Sequence, residues 1–304
     1  MFGVTLAMAL ALASQDPTGA QTPPIPETEV EEIIVDGRPL REAVREFVGA
    51  VAAPANRRGL AQWRDRVCVG VANLDNELAQ YMADRVSDVA VALDVEIGAP
   101  GCRPNVLVVF AEDGAATADA MVARDRQVFR MGSSGFELGT AALERFRTDD
   151  RPVRWWQISM PVDSETGARA YRLPGDADAS GPTAPVISVF AASRLNTQIR
   201  DDLSKTIVVI DIDDVANVNF GQLSDYVALV VMAQIDPQGD TSGFTTILNV
   251  FDNPGASPGL TEWDWAYLRA LYGSREDRHN PSSQAADLAR IMTRDRRAAQ
   301  AAAD

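Results

Sequence analysis

The sequence predicts an α/β (or α+β) fold in which a mixed β-sheet is packed with helices. Apolar segments of strand length, such as 67–71 and 105–111, alternate with segments that have helical periodicity. Later in the chain, an apolar strand at 206–212 precedes a helix at 221–235 that is nearly all apolar and must therefore be buried. With 304 residues, of which 46% are hydrophobic and 23% charged, the chain is long enough for one large domain.

The N-terminus predicts an exported protein. Residues 4–13 form an apolar run that ends in the small-x-small pattern Ala11-Leu12-Ala13, so we expect a signal peptide at 1–13 that is cut before Ser14. The run is too short to cross a bilayer, which takes about 20 apolar residues. A plain N-terminal helix is the alternative, because the first three residues carry no cation. Residues 14–28, rich in Pro, Thr, Gln and Asp, predict a flexible tether. We expect the mature protein in the periplasm or outside the cell, without a membrane span.

Residues 29–281 are predicted to form a single globular domain. Its first half reads β-α-β-α: after a helix at 41–51 come a strand at 67–71, an amphipathic helix at 74–93, the strand at 105–111 and a helix at 115–129. The strand at 105–111 is apolar on both faces, which is typical of a central strand covered by helices.

The second half adds strands and three helices. Residues 153–162 predict a strand that forms a hairpin with 170–173, and further strands follow at 185–191 and 206–212. Beyond the buried helix at 221–235 and a turn segment at 244–251, a helix starts at Thr261, with Asp264 placed for an N-cap pair. The last segment, 282–304, is polar and arginine-rich, and predicts a peripheral C-terminal helix.

The two cysteines, Cys68 and Cys102, predict a disulfide, because an even count is typical of an exported chain. Cys68 lies in the strand predicted at 67–71 and Cys102 lies just before the strand at 105–111, and a helix joins the two strands. If those strands are parallel neighbours, both sulfurs enter the sheet at the same edge. Two buried free thiols are the alternative.

Composition excludes several classes of function. A formal charge of −15 argues against binding nucleic acid or anionic lipid, both of which need clustered cations. The single histidine, His279, cannot fill a zinc site with two or three histidines, and its polar surroundings indicate a solvated loop. Trp155 and Trp156 suit a ligand groove, but such pairs more often pack a core. We expect no cofactor, and a protein or peptide as partner.

One cluster of acidic residues is the basis for the alternative hypothesis that the protein is an enzyme. The apolar strand at 206–212 delivers Asp211, Asp213 and Asp214 to its C-terminal end, which resembles the first motif of haloacid-dehalogenase-type phosphatases. That resemblance implies a divalent-metal-dependent hydrolase, which also needs a downstream lysine, and none follows Lys205. A weak calcium or magnesium site is an intermediate interpretation, and a solvated acidic turn is the plainest one.

A second resemblance covers more of the chain. Residues 260–273, which read LTEWDWAYLRALYG, resemble the closing helix of matrixin-type metalloproteases, L-[ST]-x-x-D-x-x-x-[IL]-x-x-L-Y-G. The order of elements before it is similar to the zincin fold, in which a buried helix carries H-E-x-x-H and a turn segment follows. The chain is also similar to uncharacterised exported proteins of alphaproteobacteria.

The resemblance implies a zincin-like architecture without its zinc site. The helix at 221–235 has no histidine, and the degenerate metal positions are Asp225 and Leu229. No zinc ligand or general base is carried over to this chain, and Asp225 needs a partner for its charge. The sequence therefore favours a non-catalytic binding or structural protein of the cell envelope over an enzyme.

Overall fold

A computed structural model describes residues 34–35, 37–55, 58–129, 138–171, 177–178, 181–182, 186, 198–274 and 281–301. Several sequence predictions lie outside this described part of the chain. They are the signal peptide at 1–13, the tether at 14–28, all but residue 186 of the strand at 185–191, and His279.

The first half of the chain supplies a short hairpin, two helices and three strands of the main sheet. The elements are β1 (Ile34–Val35), β2 (Arg38–Pro39), α1 (Leu40–Val51), β3 (Gln62–Trp63), β4 (Val69–Ala72), α2 (Asn76–Ala92) and β5 (Val106–Ala111). Helix α1 buries Val44, Phe47 and Val51 at helical spacing. Helix α2 starts at Asp75, whose side chain accepts from the Glu77 N–H at 2.9 Å.

The second half supplies the remaining strands and most of the helices. The elements are α3 (Gly114–Arg124), α4 (Arg126–Phe129), α5 (Thr140–Thr148), β6 (Val153–Asp163), β7 (Ala177–Asp178), β8 (Gly181–Pro182), β9 (Ile199–Asp211), α6 (Phe220–Met232), a 3₁₀ turn (Ile247–Asn249), α7 (Glu262–Tyr272) and α8 (Pro281–Ala301). The helix predicted at 115–129 is thus divided at Asp125.

The main sheet is organised around β9. Along one side, β9 pairs with β6 in antiparallel orientation over the whole length of β6. Along the other side it pairs in parallel, first with β3 and then with β5, and β5 pairs in parallel with β4. The predicted α/β class with a mixed sheet is confirmed; the sheet is mostly parallel, with β6 as its antiparallel strand.

Helices cover both faces of this sheet. Successive side chains of a strand point to opposite faces, and accordingly Trp155 joins the larger buried cluster, with α1, α2, α6 and α7, whereas Trp156 joins a smaller one with α3 and α5. Among the described helices, none combines the length and the apolar character that crossing a membrane requires.

Three features differ from the sequence predictions. Strand β6 pairs mainly with β9, and the predicted hairpin is short. Val162 forms an isolated antiparallel bridge with Arg169, and the Ala170 N–H donates to the Pro161 carbonyl at 2.9 Å. Strand β9 starts at Ile199, seven residues before the predicted strand, because its polar first half also pairs. Helix α8 packs against α1 and α7 and buries Leu288 and Met292 fully, so it belongs to the main core.

Candidate functional site

The buried helix α6 is the centre of the candidate site. Its N-terminus is fixed by a capping box in which the Asn219 side chain accepts from the Gln222 N–H and the Gln222 side chain accepts from the Asn219 N–H. Gln222 also donates to the backbone carbonyls of Pro254 and Ser257, which ties the start of the helix to the loop before α7. Every residue from Gln222 to Met232 is buried, as expected for a helix that is apolar on all sides.

Asp225 has the partner that its buried charge requires. Its Oδ1 accepts from the guanidinium of Arg85 on α2, and its Oδ2 accepts from the backbone N–H of Leu260 at 2.8 Å. The hydrogen bond from its side chain to Asp225 raises the pKa of Arg85. Both carboxylate oxygens of Asp225 are therefore committed to groups of the protein itself.

The backbone next to Leu260 approaches Asp225 closely. A Cβ atom at Gly259 would lie 2.3 Å from Asp225 Oδ2, which is far inside van der Waals contact. Glycine at 259 is thus what allows the Leu260 N–H to reach the carboxylate.

Leu229, the second degenerate metal position, and Tyr226, the residue after Asp225, are both buried. Leu229, one turn after Asp225, is 1% exposed and lies in the main core. The ring of Tyr226 makes edge contacts with Trp155 of β6 and Phe251, and burial raises the pKa of Tyr226 well above its usual value. The hydroxyl of Tyr226 therefore stays protonated at physiological pH.

The start of α7 is fastened to the turn segment that precedes it. Thr261 and Asp264 form the predicted N-cap pair, as a complete capping box. Asp264 also accepts from the Thr246 hydroxyl and from the Ile247 N–H, the latter at 2.9 Å. Burial raises the pKa of Asp264, whereas these donors act in the opposite direction. Asp264 thus holds the turn segment at 244–251 to the start of α7.

The acidic cluster at the end of β9 is not assembled as a metal centre. Asp211 accepts from the Gly114 N–H at the start of α3 and from the Asp213 N–H, at 2.9 and 3.3 Å. Asp213 and Asp214 are exposed, and desolvation together with the neighbouring carboxylates of Asp211, Asp150 and Asp213 raises the pKa of Asp214. Throughout the described ranges, no three or more His, Cys, Asp or Glu side chains are grouped to hold a metal ion.

The disulfide between Cys68 and Cys102 is present, with Cα atoms 6.2 Å apart. The cysteines precede β4 and β5, which are parallel neighbours, as the sequence analysis required for bridging. A Cβ atom at Gly98 would lie 2.4 Å from Cys102 Sγ, so the bridge packs directly against the backbone of Gly98. The alternative of two free thiols is therefore wrong.

A pocket along β6 was missed by the sequence analysis. We call it the edge pocket; it has a volume of about 350 Å³ and is lined by β6, α5 and the segments 52–54 and 235–237. Trp155 and Trp156 both line it as well as packing in the two cores. The charged residues of the pocket lie on separate elements. Only the pair of tryptophans therefore indicated a ligand groove in the sequence.

Comparison of the chain with protein-family models, with curated proteins and with solved structures finds no match. The function must therefore be inferred from the geometry of this chain.

Proposed function

We propose that this chain is an exported, zincin-like protein without a catalytic metal centre, which acts in the cell envelope as a binding or structural protein. Two features support the zincin-like part. A parallel strand of a mixed sheet (β9) leads into the buried helix α6, a turn segment and α7, in that order. The antiparallel strand β6 lies beside β9, opposite the remaining strands.

The contacts of Asp225 and the burial of Leu229 are the main support for the absence of a catalytic metal centre. A helix that binds zinc through H-E-x-x-H uses two ligands four residues apart, and a catalytic zinc ion takes three protein ligands. In this chain, the first position holds a carboxylate that is engaged by Arg85 and Leu260, and the second holds a leucine in the core. Each carboxylate oxygen of Asp225 thus already accepts a hydrogen bond from the protein, and the leucine side chain has no atom that can bind a metal.

A peptide is the partner that β6 fits best. The Asp211 N–H donates to the Pro152 carbonyl, so alternate residues of β6 direct their backbone groups towards β9. The backbone groups of Val153, Trp155 and Gln157 then point to the opposite side. In the described part of the chain, no strand pairs with that side of β6 before Pro161, whose carbonyl accepts from the Ala170 N–H. An extended peptide can add there as a further strand.

Elemental analysis of the purified protein, together with an Asp211→Asn form, tests the absence of a metal centre. We expect substoichiometric zinc, calcium and magnesium in both forms, and the same melting temperature with and without a chelator. A stoichiometric metal that disappears in Asp211→Asn would overturn the proposal in favour of a metal-dependent hydrolase.

Export is tested by measuring the mass of the protein purified from a periplasmic fraction. We expect the mass of a chain that starts at Ser14. A full-length chain in the cytoplasm would contradict export.

A further inference from the structure

The edge pocket contains a group of hydrogen-bond donors without acceptors. Arg145, Arg151, Arg154 and Trp156 line it. The Nε atoms of these arginines and Nε1 of Trp156 are buried and have no hydrogen-bond partner. Buried donors are nearly always paired in proteins, so four such atoms around one pocket need an explanation.

Arg154 is the most deeply buried member of this group. Its residue is only 3% exposed, and it forms no ion pair within the described residues. Its terminal nitrogens have only long contacts, to the carbonyls of Phe146 at 3.5 Å and Arg151 at 3.4 Å. Burial lowers the pKa of Arg154, and the charge of Asp211 opposes that effect. A guanidinium remains charged even so, because its ordinary pKa lies far above physiological pH.

The other two arginines differ in how they are held. Arg151 donates to the Pro237 carbonyl at 2.9 Å and to Asp149 at 3.1 Å, and its guanidinium lies over the ring of Trp155. The guanidinium of Arg145, on α5, makes no hydrogen bond or ion pair with any described residue. Arg151 is thus a fixed part of the wall, whereas Arg145 and Arg154 have their donors available.

The unpaired groups determine which hydrogen-bonding groups and which charge a ligand of the pocket must have. All four are donors, so the ligand has to supply acceptors. Three arginines and two carboxylates, Asp149 and Asp236, line the pocket, and the carboxylate of Asp211 also acts on Arg154. The lining is therefore not strongly cationic, which favours a singly charged ligand over phosphate.

The lining and the volume of the pocket determine the size and the apolar character of the remainder of the ligand. Apart from the charged groups and Gln157, whose amide already donates to the carbonyls of Val230 and Ala233, the lining is apolar. It consists of Trp155, Trp156, Phe146, Leu138, Ile235 and Pro237, together with small side chains. Its volume lies at the lower end of the range typical of small-molecule sites, about 300–1,000 Å³. The planar fork of an arginine matches a carboxylate, with two parallel hydrogen bonds.

We propose that the edge pocket binds a carboxylate attached to an apolar or aromatic group, through Arg145 and Arg154. Either a free organic acid or the C-terminal carboxylate of a peptide presents this chemistry. The pocket adjoins the side of β6 to which a peptide would add, but the assignment does not rest on strand addition. It also uses no feature of α6, so the outcome of the metal analysis does not affect it.

Titration calorimetry with four probes tests this assignment. The probes are N-acetylphenylalanine, its neutral amide, the tetrapeptide acetyl-Gly-Gly-Gly-Phe with a free carboxylate, and inorganic phosphate. We expect at least one of the two carboxylates to bind with one-to-one stoichiometry, and the amide to bind about tenfold more weakly or worse, because a charge-assisted hydrogen-bond pair is lost. Tighter binding of the peptide identifies a chain end as the source of the carboxylate, and tighter binding of the amino acid a free metabolite.

The variants Arg145→Gln and Arg154→Gln are expected to weaken carboxylate binding about tenfold or more. Arg147→Gln is the matched control: Arg147 lies on the same helix, pairs with Asp119 and Glu144, and is not part of the pocket. Arg145 is only half-buried, so its variant carries the test if Arg154→Gln does not fold. Equal binding of acid and amide, tighter binding of phosphate, or no binding of either carboxylate at millimolar concentration would overturn the proposal.

Discussion

Arg85 and Asp225 form an ion pair between α2 and α6 in which the acid is much more buried than the base. The side chain of Asp225 is 7% exposed and that of Arg85 is 34% exposed. The pair joins residues 140 positions apart in the chain. Because so little of Asp225 is exposed to water, its charge is stabilised mainly by Arg85 and by the Leu260 N–H.

The first prediction concerns this dependence. We expect Arg85→Met to lower the free energy of unfolding by about 2–3 kcal/mol, because the carboxylate stays buried without its counter-ion. The double variant Arg85→Met/Asp225→Asn should be more stable than Arg85→Met alone, since a neutral amide removes the uncompensated charge. Urea unfolding measures both quantities. Glu77→Gln, an exposed change on the same helix, is the control, and a loss no larger than that of the control would contradict the prediction.

The second prediction concerns the disulfide. Replacing Cys68 and Cys102 by alanine should lower the free energy of unfolding by about 3–4 kcal/mol, the chain-entropy value for a loop of 34 residues. The native protein should take up alkylating reagent only after unfolding and reduction, as shown by its mass. Gly98→Ala should destabilise the oxidised protein more than the cysteine-free variant, because the added methyl group meets Cys102 Sγ. An equal effect in both backgrounds would argue against this packing.

The third prediction concerns α8. Leu288→Ala should cost about 2–5 kcal/mol, the usual range for a leucine removed from a core, because Leu288 is fully buried against the main cluster. Arg294→Ala, on an exposed side of the same helix, should change stability by less than about 0.5 kcal/mol. If both substitutions have the same small effect in urea unfolding, α8 is not part of the core in solution.

The fourth prediction concerns pH and the turn that ends β6. The N–H groups of Thr166 and Glu165 donate to Asp163 and hold the pKa of its carboxyl below the usual value of 3.8. A lowered pKa in the folded state means that this stabilisation is present above pH 3.8 and is lost as the pH falls through the folded-state pKa.

An NMR titration should therefore show an Asp163 pKa below 3.8. The stability difference between the native protein and Asp163→Ala should shrink as the pH falls below that value. Glu165→Ala is the matched control, because it keeps the backbone N–H that donates to Asp163. A pKa of Asp163 above 3.8 would contradict the prediction.

Local periodicity predicted the first half of the fold well. The apolar spacing of α2 and the strands on either side of it are short-range patterns, and they placed Cys68 and Cys102 at the same edge of adjacent parallel strands. The N-cap pair of Thr261 and Asp264 is likewise a pattern of four residues, and it is confirmed.

The pairing of β6 with β9 could not be predicted in the same way. The first half of β9 is polar, and Asp201 in it is buried because Arg58 and the Gly59 N–H, about 140 residues earlier, both donate to it. No local window of sequence contains both partners. For the same reason the sequence indicated that Asp225 needs a partner but did not identify Arg85. Arg145 and Arg154 are close in the sequence, but they lie on a helix and on a strand, and no periodic pattern indicated that they meet in one pocket.

The central position of β9 has a consequence for how the chain folds. Strand β5 pairs with β9 through Val106 and Thr206, 100 residues later, whereas β4 and β5 are joined by a single helix. Such long-range pairing gives a high contact order and slows folding. We expect the unit from β4 to β5 to form early and to keep the apolar edge of β5 unpaired until β9 arrives. During that interval the edge is open to other chains, so aggregation competes with folding at this step.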